Sequence, residues 1–300
     1  MQPPFFSLII PVYKTERFLE ECFTSLLEQT FRDFEAIIID DGSPGEAGYP
    51  TVEESFKKIL GSDNRFKYIR QKNLGVSAAR NTAINVSNGI FLKFVDSDDI
   101  LKKTHLQNLH DSLIKYERKW DSAIFYLKQI RSFISDENGN KTFVEPHCSH
   151  KKDTFLKELI YFGISGPKLI VLRKLAGDTR FKEGLKAHEE SDFYLRVFLN
   201  NRFNGYNLKF IELNDDSYLY RLHQNSFTKQ LEPIFNLTAV NIYQNFLKQY
   251  ESVLSSREKI LCRLGVLRFR RDERKSLYQK YTKKFFGLIA KIIGGWYTNN

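Results

Sequence analysis

Cysteine is scarce in this 300-residue chain, and Cys22, Cys148 and Cys262 are scattered and odd in number. That excludes a disulfide framework and a cysteine-built zinc site, and it fits a reducing cytosol. No apolar run approaches the roughly 18 residues that a spanning helix needs, so no transmembrane segment is expected. Met1-Gln2-Pro3-Pro4 carries no basic leader and no long apolar stretch, so no secretory signal is expected. Internal repeats and low-complexity segments are missing. So is the basic glycine-rich phosphate loop that a nucleotidyl or phosphoryl transferase on a similar sheet would carry.

What is present describes a globular chain: 42% hydrophobic and 27% charged residues, enough to bury a core. The net charge of +10 is unevenly placed. Residues 263–300 hold ten Lys/Arg against two Asp/Glu, while the other 36 basic and 34 acidic residues nearly cancel. This tail interleaves its cations with Phe269, Tyr278, Tyr281, Phe285, Phe286, Trp296 and Tyr297. A basic aromatic helix suits the surface of an anionic membrane. The alternative is a C-terminal helix packed on the catalytic domain or on a second copy in a homo-oligomer. No nucleic-acid motif accompanies the charge, so no nucleic-acid partner is expected.

The first hundred residues alternate strands and helices. Phe6–Ile10 reads as a buried strand ended by Pro11, 16–29 as an amphipathic helix, and Phe34–Ile39 as a second strand. Thr51–Leu60 reads as a helix, Phe66–Ile69 as a strand, Val76–Val86 as a helix and Ile90–Val95 as a fourth strand. That order implies an α/β fold with a mostly parallel central sheet. Beyond it, 102–118, 153–162 and 189–200 read as helices, and Leu208–Leu213 as a strand. Ser122–Phe133 and Lys141–Pro146 read as strands flanking a turn at Asp136–Gly139. From about Leu231 onward the pattern is helical. The expected division is a catalytic domain over 1–230, with a nucleotide-binding half 1–105 and an acceptor half 106–230. A basic helical region over 231–300 would follow.

Ligands of such sheets bind beyond the carboxyl ends of the strands, and two acidic clusters fall there. Asp96-Ser97-Asp98-Asp99 puts three carboxylates within four residues directly after an apolar strand. They repel one another unless a hard divalent cation neutralises them. The other reading is a solvated turn in which Asp99 caps a helix from Ile100. Asp40-Asp41-Gly42-Ser43 offers either an acceptor for a base N–H or an Asx turn. In Asn73-Leu74-Gly75-Val76-Ser77-Ala78-Ala79-Arg80-Asn81, Gly75 permits close backbone approach at a helix start, and free N–H groups there suit anions. Arg80 lies one turn in, facing phosphate, an aspartate or solvent.

With Pro11-Val12-Tyr13 these blocks come in a fixed order, and together the chain resembles a family 2 glycosyltransferase of the GT-A fold, of the bacterial surface-polysaccharide type. The likeness is close over about residues 5–105 and looser over 160–230. It implies an inverting transferase that uses a nucleoside-diphosphate sugar, most often UDP-linked, with Mn²⁺ or Mg²⁺. By position, Pro11 and Tyr13 would line the nucleotide pocket, and Asp41 would meet the uracil edge with Asp40 in support. Asn73, Gly75 and Arg80 would lie near base, ribose or diphosphate, with Ser97 beside them. Asp96 would reach ribose or metal, and Asp98 would be the main metal ligand. His223, in a block resembling the family's Y-R-x-H-x-x-S, would complete the metal shell.

Inversion needs a general base on the acceptor side. The resemblance places an Asp at the position of Glu190, and this sequence departs from it by one methylene, enough to move the carboxylate by about 1 Å. Glu190 is the expected base, with Asp192 and Glu189 as alternatives. The expected activity transfers a hexosyl or N-acetylhexosaminyl group to a saccharide or lipid-linked acceptor on the cytoplasmic side of a membrane. The alternative is a non-catalytic nucleotide-sugar-binding scaffold.

Overall fold

The computed structural model describes residues 2–127, 130–136, 140–144, 166–185, 187–223, 232–256, 259–260, 262–263 and 266. The expected helix at 153–162, Ser226 and Thr228 of the His223 block, which the resemblance would put near phosphate, and the tail beyond 266 lie outside them.

The chain divides into two units. The first comprises 1–149, 164–185 and 189–229; the second comprises 150–163, 186–188 and 230–300. In the second unit, one helix spans Glu232–Gln249. Among the described residues no helix is long and apolar enough to cross a membrane.

The first unit is built on two sheets. β1 (Phe6–Val12) and β2 (Phe34–Asp40) are buried along nearly their whole length, as strands covered on both faces must be. β3 (Phe66–Arg70) and β4 (Phe91–Phe94) flank this pair. β1 runs parallel to both β2 and β4, with Val12 opposite Asp40 and Ile9 opposite Phe94. The strand continues through Pro11 because the β4 ladder has already ended at Phe94, so no β4 partner faces the proline. α1 (Leu19–Leu27), α2 (Val52–Ile59) and α3 (Val76–Val86) are the crossover helices. Thr51 and Glu54 form a reciprocal capping box that fixes the start of α2.

The sequence 122–133 does not form one strand. β6 (Ala123–Leu127) is buried in the central sheet, whereas β7 (Arg131–Ser135) turns into a second sheet. There it pairs with β8 (Lys141–Val144) as the expected hairpin. Three strands escaped the sequence pattern: β5 (Ile100–Leu101), β9 (Leu169–Leu172) and β11 (Tyr218–Arg221). With β10 (Lys209–Leu213), the central sheet has the order β10-β6-β9-β4-β1-β2-β3, antiparallel only where β9 meets its neighbours. The second sheet has the order β5-β11-β7-β8 around Ile100, Phe133 and Leu219. α4 (His105–Ile114), the short α5 (Arg173–Ala176) and α6 (Glu189–Phe203) complete this unit.

Candidate functional site

The parallel register brings the carboxyl ends of β1, β2 and β4 to one edge, and the polar clusters gather there. Asp40 is fully buried and its carboxylate is used internally, by the Ser43 N–H at 2.8 Å, the Tyr68 hydroxyl at 3.0 Å and Arg70 at 3.2 Å. Asp41 accepts from Gln71 Nε2 at 2.7 Å, from the Leu74 N–H at 3.0 Å and from the Gly75 N–H at 2.8 Å. Its carboxylate thus fixes the turn that opens α3. Gly75 sits at φ 91° and ψ 161°, a region essentially closed to other residues. Pro11 is half-buried; Tyr13 and Asn73 are exposed beside this corner.

The loop after β4 spreads its acids in three directions. Asp99 is fully buried, accepting from the Tyr218 hydroxyl at 2.7 Å and the Arg221 N–H at 2.8 Å. Burial pushes its carboxyl well up, and the charges of Asp98 and Asp96 add to the shift. Asp98 Oδ2 lies 2.9 Å from His223 Nε2. Ser97 is buried, its hydroxyl 2.8 Å from that of Thr15. Asp96 turns to Arg80, with Oδ1 3.5 Å from Nη2.

Arg80, on the first turns of α3, is 3% exposed and stands at the centre of the site. Its Nη1 donates to Glu189 Oε1 at 3.1 Å and its Nη2 to Glu190 Oε1 at 2.9 Å. The guanidinium also lies 5.2 Å from the Phe181 ring centroid. Burial works against its charge, but Glu190, Glu189 and Asp96 more than restore it. Burial raises the carboxyls of Asp96 and Glu189, and the like charges of Asp98 and Glu190 add to it against the pull of Arg80.

The structure therefore joins Asp41 with Gly75, Asp98 with His223, and Arg80 with Asp96, Glu189 and Glu190. It does not join Asp192, whose carboxylate is held 2.8 Å from Arg196 Nε one turn along α6. Nor does it assemble the expected trio of Asp96, Asp98 and His223: Asp98 pairs with His223, while Asp96 faces Arg80. Among the described residues, no three His, Cys, Asp or Glu side chains are placed to hold a metal ion together. Sequence reasoning assigned no role to Tyr218, Arg221 or the buried Lys93. A signal existed for the first two: an acidic triplet with one member buried requires donors from elsewhere.

The model of Glycosyl transferase family 2 matches residues 7–179. The uncharacterized glycosyltransferase EpsJ of Bacillus subtilis (strain 168) is 29% identical over 233 residues, 75% of this chain and 63% of EpsJ. The succinoglycan biosynthesis protein ExoW of Rhizobium meliloti (strain 1021) is 29% identical over 197 residues, 61% of this chain and 60% of ExoW. The chain thus spans under two thirds of each of these relatives. In fold it is similar to S. aureus TarS 1-349, solved in complex with UDP-GlcNAc. The TM-score is 0.66 at 20% identity, covering 92% of this chain and 77% of that one. With more than half its length inside the family match, the chain belongs to glycosyl transferase family 2.

Proposed function

We propose that the chain is an inverting glycosyltransferase that moves a sugar from a UDP-linked donor to a hydroxyl of a saccharide or lipid-linked acceptor in surface-polysaccharide synthesis. The observation that carries this reading is the Arg80 cluster. One buried guanidinium ties Asp96, at the donor end of β4, to Glu189 and Glu190, at the head of α6. The UDP-GlcNAc complex of TarS and the name of ExoW support the donor and the pathway class.

The residues divide the work by position. Asp41 holds the 73–75 turn, whose neighbourhood with Tyr13 suits a uracil base. Asp98 and His223 offer one carboxylate oxygen and one imidazole nitrogen at adjacent positions. The carboxylate suits Mn²⁺ or Mg²⁺, which commonly take one or two protein ligands and leave the rest to phosphate and water, and His223 would add a nitrogen donor. A bound cation would stabilise negative charge on the departing diphosphate. Glu190 is assigned as the base. Its side chain is 18% exposed, against 9% for Glu189 and 8% for Asp192, so it is the most open of the three to an acceptor. It would take the acceptor hydroxyl proton as that oxygen attacks the anomeric carbon. Arg80 orients Glu190 and offsets the charge of its neighbours.

The test is a thermal-shift series with UDP and UDP-sugars, each with and without Mn²⁺ or Mg²⁺. A ligand bound only by the folded state raises the melting temperature with concentration. The reading expects a metal-dependent shift that Asp98→Asn abolishes, and a product of inverted anomeric configuration by NMR. No shift with any nucleoside diphosphate would sink it.

A further inference from the structure

The Asp96–Asp99 loop is gripped by a strand that arrives about 120 residues later. The Tyr218 hydroxyl donates to Asp99 Oδ2 at 2.7 Å and accepts the Asp96 N–H at 3.2 Å. The Arg221 main-chain N–H donates to Asp99 Oδ1 at 2.8 Å, and its Nε donates to the Asp98 carbonyl at 2.8 Å. Two residues from one short strand therefore fix peptide groups on both sides of Ser97, and His223, two positions further on, meets the Asp98 side chain at 2.9 Å.

Arg221 is itself held on every side. It is 4% exposed, donates to Ser135 Oγ at 2.9 Å and pairs with Glu21. Its guanidinium lies between the rings of Phe18 and Phe133, 4.9 and 4.7 Å from their centroids. Phe18 also packs 4.8 Å from the His223 ring. One aromatic side chain thus braces both the arginine that holds the Asp98 carbonyl and the imidazole that faces the Asp98 carboxylate.

We infer that Tyr218 and Arg221 are positioning residues of the donor site, in which β11 holds the Asp96–Asp99 loop so that the Asp98 carboxylate stays turned toward His223. The inference rests on the reading of Asp98 and His223 as the metal-holding pair. Tyr218 and Arg221 are both buried. Both act through the loop, as the outer partners of a metal site orient its inner ligands. The fold alone would require only that the buried Asp99 be satisfied. The contacts to the Asp96 N–H and the Asp98 carbonyl go further, because the first fixes the start of the loop and the second sets the peptide plane that follows Asp98.

The experiment measures Mn²⁺ affinity by calorimetry in the presence of UDP, together with UDP affinity without metal and the melting temperature. The proteins are wild type, Asp98→Asn, Tyr218→Phe, Arg221→Lys and Leu109→Ala. Tyr218→Phe removes one oxygen and keeps the ring, and Arg221→Lys serves where the tyrosine variant fails to fold. Leu109→Ala destabilises buried α4 without touching the loop. The expected result is a fall in Mn²⁺ affinity of about 10- to 100-fold in the Tyr218 and Arg221 variants, the range for loss of an outer partner. Metal-free UDP affinity should stay within about twofold, and Leu109→Ala should keep wild-type Mn²⁺ affinity. Wild-type Mn²⁺ affinity in both loop variants, with Asp98→Asn impaired, overturns the inference alone. So does an equal loss in Leu109→Ala. Wild-type Mn²⁺ affinity in Asp98→Asn overturns the underlying reading and the inference with it.

Discussion

Arg80 Nη2 lies 2.9 Å from Glu190 Oε1, a contact between residues 110 positions apart. The same nitrogen is 3.5 Å from Asp96 Oδ1. A single cation therefore links the end of β4 to the first turn of α6.

Glu190→Gln keeps the hydrogen bond to Arg80 but removes the proton acceptor. General-base catalysis contributes about 10²- to 10⁴-fold, so kcat should fall by about that factor while KM for the donor changes little. Glu189→Gln and Asp192→Asn should stay within about tenfold of wild type, because each side chain is less open to an acceptor than that of Glu190. Initial rates of transfer decide it. A Glu190→Gln enzyme with wild-type kcat would remove Glu190 as the base.

Arg80→Met leaves Glu189 buried and its neighbours without their shared cation. Removing one partner of a buried pair costs about 3–5 kcal/mol, and the urea midpoint should fall accordingly. Arg80→Lys should lie between: it restores the charge, but one ammonium does not match the two nitrogens that contact Glu189 and Glu190 separately. A Met variant as stable as wild type would show that the carboxylates find protons or other partners.

The central sheet was legible in the sequence because its strands are unbroken apolar runs punctuated by acidic turns, as in Phe34–Asp41. β9 and β11 were not. Leu169–Leu172 is four residues long, too short to separate from a buried helix turn by periodicity. β11 mixes Tyr and Arg because it serves the Asp loop as well as its sheet. Ser122–Phe133 reads as one strand because apolar residues stand in both halves, and nothing local reveals that β6 and β7 enter different sheets. The site residues were legible as ordered blocks, but not their pairing. No spacing rule places Arg80 between Asp96 and Glu190, or says that Asp192 faces Arg196, since those choices are made by how α6 is set against β4.

Asp41→Asn should loosen the turn at 73–75. The carboxylate accepts from three donors there, whereas an amide offers one oxygen and turns its NH₂ toward donors. Hydrogen bonds to charged groups contribute about 1.5–3 kcal/mol each, so UDP affinity should fall by tenfold or more by calorimetry. Gly75→Ala should do the same through backbone strain at φ 91°. An Asp41→Asn protein that binds UDP as wild type does would separate this turn from the donor site.

Lys93 makes the pH dependence of stability testable. It lies on β4 with no exposed surface, donates to the Pro167 carbonyl and sits 4.8 Å from the Tyr218 ring centroid. Burial lowers its pKa to about 7, partly opposed by the charges of Asp215, Asp96 and Asp99. His105, buried nearby against Asp215 at 2.9 Å, is itself lowered by burial, in part offset by that aspartate. In the unfolded chain a lysine titrates at about 10.4. Between about pH 7 and 10 the unfolded state therefore holds a proton that the folded state has released. Stability rises with pH where the unfolded state binds more protons, with a slope of up to about 1.4 kcal/mol per pH unit from one group. Below pH 7 both states are protonated and this contribution to the slope vanishes. Urea midpoints for wild type should climb from pH 7 to 9 relative to those of Lys93→Met, which has no proton to release. Parallel midpoints for the two proteins across that range would mean that Lys93 stays charged in the folded protein, held so by its aspartates.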